Sequence, residues 1–178
     1  RAGVDEAAAG SDLLRMTTRL STGKVSLLEE LGQRRPFRSL AQEAIIGIAR
    51  TASVLNRQAA SVLEPEGISV AQFNVLRILR GAGADGLPTL SIRDRMVDPA
   101  AAITRLVDKL EEAGLITRER VSCDRRQVVC RITAKGLELL SRVDPLMSAT
   151  EDRLSDRLTS EEMETLNDLL TKVRQGAC

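Results

Sequence analysis

Only two aromatic side chains, Phe37 and Phe73, stand among the 178 residues, and there is no Trp, Tyr or His. Any core must therefore be built from Leu, Ile, Val, Ala and the four Met, a composition that leans toward helices. Aromatic faces on which unpaired bases could stack are missing, which argues against a binder of single-stranded nucleic acid. Without His, the commonest general base, the Ser/His/Asp triad and His-ligated zinc are all removed. No other nucleophile–base pair, metal-ligand spacing or phosphate loop is visible, so no enzyme, metal or cofactor is expected.

Lys and Arg number 26 against 25 for Asp and Glu, a formal net charge of +1. That balance excludes a wholesale polycation but leaves room for a local basic patch cancelled elsewhere. Hydrophobic residues at 43% suffice for a core, and the length suits one domain, or one with an appendage. Cys123, Cys130 and Cys178 form no C-x-x-C pair and leave an odd thiol, which fits a reducing compartment. No apolar run approaches the roughly 20 residues that span a bilayer, and no signal peptide is visible. The expectation is a cytoplasmic protein with no membrane contact.

Residues 1–10 are rich in Ala and Gly and read as a frayed tail. Helical spacing begins at Ser11 or Asp12, with Leu13, Met16 and Leu20 and then Leu27, Leu28 and Leu31; Gly23 is a candidate interruption, and Gly32 and Pro36 end it. A long helix is predicted from about Ser39 to Leu63, with Ala41, Ala44, Ile48, Ala52, Leu55, Ala59 and Val62 as its apolar stripe. Ser69-Val-Ala-Gln72 has capping-box spacing and opens a helix to about Arg80. Residues 81–86 read as a loop. Two short helices follow: Leu90 to Val97, then one started by Asp98 as N-cap and Pro99 at the first helical position. Ile103, Leu106, Val107 and Leu110 are the buried stripe of the second, and Gly114 suits its C-terminal cap.

Leu115 to Val121 and Gln127 to Ile132 are β-branched and predict a hairpin, joined by the charged connection Ser122-Cys123-Asp124-Arg125-Arg126. Thr133 reopens helix to about Leu158, with Leu140, Met147 and Leu154 one heptad apart and Pro145 expected to bend or break it. Thr159-Ser-Glu-Glu162 is a second capping box, starting a last helix with Met163, Leu166, Leu170 and Val173 inward.

Helix, tight connection, helix and charged hairpin is the order of a winged helix-turn-helix, in which one helix enters the major groove and the hairpin reaches the adjacent minor groove. Thr104-Arg105-Leu106-Val107-Asp108-Lys109-Leu110-Glu111, Gly114-Leu115-Ile116-x-Arg118, Asp124-Arg125-Arg126, Ile132-Thr133-x-x-Gly136 and Leu158-Thr159-x-Glu161-Glu162 occur in order. Over about residues 40 to 175 the chain resembles the multiple-antibiotic-resistance regulator (MarR) family of bacterial transcription factors. The resemblance implies a mainly α fold with a small β-hairpin wing, a homodimer of intertwined terminal helices, and double-stranded DNA as partner. It also implies a regulator, most often a repressor, on a pseudo-palindromic operator, with small aromatic or phenolic effectors in relatives. The organisation it implies is an N-terminal extension over 1–38, a dimerisation region of 39–66 and 134–178, and a DNA-binding lobe over 68–133. Ile48, Leu55, Leu140, Met147, Leu154, Met163, Leu166 and Leu170 are the expected interface residues.

Family members usually carry Ser or Thr early in the recognition helix, where Pro99-Ala100-Ala101-Ala102 stand here. Readout is therefore expected to fall on Thr104 and Arg105, with Lys109 and Arg118 nearby and Arg93 and Arg95 reaching phosphates. Asp124 is expected to orient an arginine while Arg125 and Arg126 serve the wing, Arg126 entering a narrow minor groove. The competing reading of these charges is surface pairing, such as Arg105 with Asp108. Cys123 beside that basic run is a weak candidate redox sensor. A dimerisation or architectural module with a degenerate winged helix is the alternative, supported by the alanines.

Overall fold

The computed structural model describes residues 25–99, 101–121 and 124–176, with the side chains at 121, 124–127 and 154 outside the description. The chain divides into two compact units, Arg1–Ala52 and Ser53–Cys178.

In the first unit, the described chain begins with a single turn of helix, α1 (Leu27–Glu30), closed by a capping box. The Glu29 N–H donates to Ser26 Oγ at 3.3 Å, and the Ser26 N–H donates to Glu29 Oε2 at 2.9 Å. The Ser26 N–H foremost, and then the Ser26 hydroxyl donating to the same Oε2 at 2.8 Å, hold the Glu29 carboxyl below its ordinary value. Helix α2 (Leu40–Leu63) follows, within which the division of the two units falls. Arg50 Nε meets Glu30 Oε1 at 2.7 Å, and Leu27 packs where Gly47 leaves room on α2. Of the helix expected from residue 11, only Leu27–Glu30 is helical among the described residues. Val25 and Ser26 are not helical, Ser26 being extended, so α1 starts anew at the Ser26 cap, and residues 11–24 lie outside the description.

The second unit holds the core. Helix α3 (Val70–Ala82) starts where Ser69 and Gln72 form the expected capping box. It buries Phe73, Val75, Leu76 and Leu79, and Arg77 lies 5.8 Å over the Phe73 ring. A two-residue strand, β1 (Leu87–Pro88), comes next, then α4 (Thr89–Asp94), α5 (Ile103–Glu112), β2 (Ile116–Val121) and β3 (Asp124–Ile132). The three strands form one antiparallel sheet in the order β1-β3-β2. Helices α6 (Ala134–Ser155) and α7 (Ser160–Gln175) end the fold. Leu63, Ile92, Val107, Leu110, Ile116, Cys130, Leu140 and Val143 join the α3 residues in one aliphatic core.

Four expectations are corrected. Where residues 81–86 are expected to form a loop, 81 and 82 finish α3 and Gly83–Asp85 make a 3-10 turn. Just beyond, Gly86, at φ +67°, lets Leu87 of β1 pair with Cys130, and a Cβ there would collide with the Cys130 carbonyl oxygen. Asp98-Pro99 starts no helix. The Ala101 N–H donates to the Asp98 carbonyl at 3.2 Å, so these residues build a turn, and α5 begins at Ile103. Asp in the first and Pro in the second position of a turn is as favourable as Asp-Pro at a helix start. Asp124 to Arg126 belong to β3 instead of a loop, because Asp124 pairs with Val121; the ladder is irregular between there and the Arg120–Val128 pair. Of the bend or break expected at Pro145, the break is absent: α6 runs through it from Ala134 to Ser155. An interior Pro costs about 3 kcal/mol, which burial of Leu139, Leu140 and Val143, at about 1.5–3 kcal/mol each, outweighs.

Candidate nucleic-acid interface

Helix α5 is held by its inner face. Ile103, Val107 and Leu110 are buried, while Thr104, Arg105 and Lys109 are exposed on the opposite side. The turn leading into it is fixed by Asn74, whose Oδ1 accepts the Val97 N–H at 3.0 Å. Because the helix starts at Ile103, the alanines at 101 and 102 precede it, and Thr104 and Arg105 are its second and third residues. Side chains at the N-terminal end of such a helix are the ones that meet base edges. The later start therefore moves both residues toward the reading position.

The exit of α5 is bolted to the sheet. Arg118 on β2 sends Nε to Glu111 Oε2 at 2.7 Å and Nη1 to Asp108 Oδ1 at 2.7 Å, and its Nη2 also reaches Glu111. The Glu111 hydrogen bond is the main reason the guanidinium is raised above its ordinary value, against the opposing effect of burial. Arg118 was expected to contact DNA, and here its donors are turned onto α5 instead. Asp108, the expected surface partner of Arg105, faces Arg118. Arg105, Arg95 and Lys109 make no ion pair among the described residues. Arg93 pairs with its neighbour Asp94, Nη2 to Oδ1 at 2.9 Å, and both side chains are exposed.

A second set of bonds joins α5 to α6. The Thr133 Oγ1 donates to the Gly114 carbonyl at 2.8 Å and accepts the Gly136 N–H at 3.1 Å. Lys135 Nζ donates to the Ala113 carbonyl at 2.8 Å, and the Thr133 N–H to the Leu115 carbonyl at 3.0 Å. Gly136 has no room for a Cβ, which would run into the Leu115 carbonyl oxygen. The Gly114-Leu115 and Thr133-x-x-Gly136 motifs are thus two halves of one junction. Sequence reasoning missed Arg131, which ties the wing to the preceding loop: Nη1 meets Glu119 Oε2 at 2.6 Å and Nε donates to the Ala84 carbonyl at 2.9 Å. Its signal was the diagonal pairing of two charges across the hairpin.

Cys123, and the side chains of Asp124, Arg125, Arg126 and Leu154, lie outside the described residues. Cys130 is buried, its Sγ 3.7 Å from Thr89 Oγ1, and burial pushes its thiol up. Of the expected interface residues, Leu140 is corrected. It is fully buried in its own chain's core, so no surface remains for a second copy. Met147 packs against the same core, whereas Ile48, Leu55 and Leu166 are 39%, 43% and 36% exposed. Met163 and Leu170 are half-buried, and α7 buries no residue completely, so the stripe expected to face inward is only partly covered among the described residues. Among the described residues no group of carboxylates and thiols is placed to hold a metal ion, and no helix is long and apolar enough to cross a membrane.

Helix-turn-helix, three-stranded sheet and flanking long helices define a winged helix-turn-helix protein. The MarR family model matches residues 68–128. The HTH-type transcriptional regulator MhqR of Bacillus subtilis (strain 168) is 30% identical over 132 residues, 74% of this chain and 90% of that protein. The crystal structure of a MarR transcription factor from Planctomyces limnophilus has a TM-score of 0.59 and 33% identity, over 76% of this chain and 98% of that one. NadR, solved in complex with 4-hydroxyphenylacetate, has a TM-score of 0.62 and 26% identity, over 78% of this chain and 97% of that one. The chain belongs to the MarR family.

Proposed function

We propose that this chain is a DNA-binding transcriptional regulator, a cytoplasmic homodimer that represses from a pseudo-palindromic operator and is released by a small-molecule effector. The observation that carries the reading is α5, anchored by its buried inner face and presenting Thr104, Arg105 and Lys109 outward. A helix of this kind fits the major groove, and the wing that follows brings Asp124, Arg125 and Arg126 toward the flanking minor groove. Residues 68–133 form the reading lobe in this proposal, and 39–66 with 134–178 the dimerisation region. The only partly covered stripe of α7 supports a partner helix there. The phenolic anion bound by NadR supports an effector of the same class.

The test is protection of the promoter region flanking the gene by purified protein. A protected pseudo-palindrome is expected. Binding that is equal on random duplex and vanishes with salt would instead favour an architectural module. The alanines no longer support that alternative, since those at 101 and 102 precede the helix.

A further inference from the structure

We propose that Arg118 is a positioning residue that sets sequence selectivity by locking the pitch of α5 against the wing, through its simultaneous hold on Asp108 and Glu111. The inference rests on the DNA-binding reading above. Asp108 and Glu111 are three residues apart, so both project from one side of the helix, and the guanidinium fork spans them from β2. Each contact is N···O at hydrogen-bonding distance, and the Arg118 side chain is 30% exposed, less than either carboxylate. A planar fork bridging two carboxylates restrains rotation as well as separation, which one point charge would not do. Arg105 sits one turn before Asp108 on the same helix, so rolling α5 moves Arg105 across the groove floor. A bidentate base contact depends on such placement, whereas a phosphate contact tolerates it.

The clamp can be broken from either side with opposite change of charge. Arg118→Gln removes a cation, and the double variant Asp108→Asn/Glu111→Gln removes two anions. The probes are a duplex selected by wild-type protein from a randomised pool and a fixed random duplex of equal length. Both variants are expected to lower the selected-to-random affinity ratio about tenfold, the worth of roughly one base contact. The double variant should do so while binding random duplex more tightly than wild type. If Arg118 were itself a phosphate contact, Arg118→Gln would weaken both probes equally and reduce the salt slope by about one. The double variant would then free it and tighten both probes with the ratio intact. Either pattern overturns the proposal. Amide exchange without DNA separates this inference from the reading beneath it. Both variants must speed exchange over 103–112 relative to α3, and unchanged exchange refutes the clamp even if DNA binding is found. Failure of wild type to select any duplex defeats the DNA-binding reading instead.

Discussion

Arg105 stands at the third position of α5, exposed and without an ion pair among the described residues, so its fork is available to a guanine edge. Replacement by Ala should relax preference at one base position in each half-site, where a bidentate contact is worth about 1–3 kcal/mol. Binding to a library of single-base operator variants reads this directly, and a uniform loss across the library would make Arg105 a phosphate clamp. Arg126 is assigned a different kind of contact, to the negative potential of the minor groove. Arg126→Ala should flatten the dependence of log affinity on log salt by about one unit, since one cation leaves the interface. Titrations at several salt concentrations with unchanged slope would remove the wing from the reading. Cys130 makes the opposite case. Burial raises its thiol, so less thiolate is present at a given pH, and alkylation in the folded protein should lag well behind that in denaturant.

At the scale of elements, the junction of α5, β2 and α6 depends on Gly136, whose missing Cβ gives the Leu115 carbonyl its place. Gly136→Ala should cost about 1–3 kcal/mol through overpacking against backbone that Thr133 already pins. Gly81 in α3 has open space around it, so Gly81→Ala should be neutral or stabilising by up to about 1 kcal/mol. Thermal melts of the pair should move Tm down for the first and not for the second; equal shifts would deny the junction its role. Much of this architecture was legible beforehand where the cause is local. The boxes at Ser69 and Thr159 and the aliphatic stripe of α5 each lie within a few residues of sequence. Features decided by remote partners were not. Strand β1 exists only because β3 offers it a ladder, Pro145 stays helical because the core grips α6 around it, and Asp98-Pro99 suits two local outcomes. Arg118 looked like a DNA contact because its type and neighbourhood fit one, and only the folded approach of Asp108 and Glu111 gives it another use.

At the scale of the whole molecule, apolar surface remains exposed among the described residues. In α7, Leu166, Leu169 and Val173 are 36%, 54% and 55% exposed, and in α6 Leu146 is 50% exposed. Single exposed aliphatics are ordinary on a protein surface, but a stripe at helical spacing along α7 is what one side of a helix-helix interface looks like. A two-fold dimer uses the same patch twice, so one substitution enters the interface at two symmetric places. Leu166→Asp should therefore dissociate the proposed dimer, because a carboxylate buried without a partner costs several kcal/mol. The fold of the single chain should survive, since Leu166 lies outside its core. Light scattering should then report a monomer with an unchanged circular dichroism spectrum. An intact dimer would show that α7 is not the interface. Operator affinity should fall by about a hundredfold or more once the dimer is lost, because two half-site contacts no longer reinforce each other. Binding to a single half-site should meanwhile stay near the wild-type value, since α5, Arg118 and the wing are untouched. A loss on the half-site equal to that on the full operator would place the damage in the reading lobe and count against this division of labour.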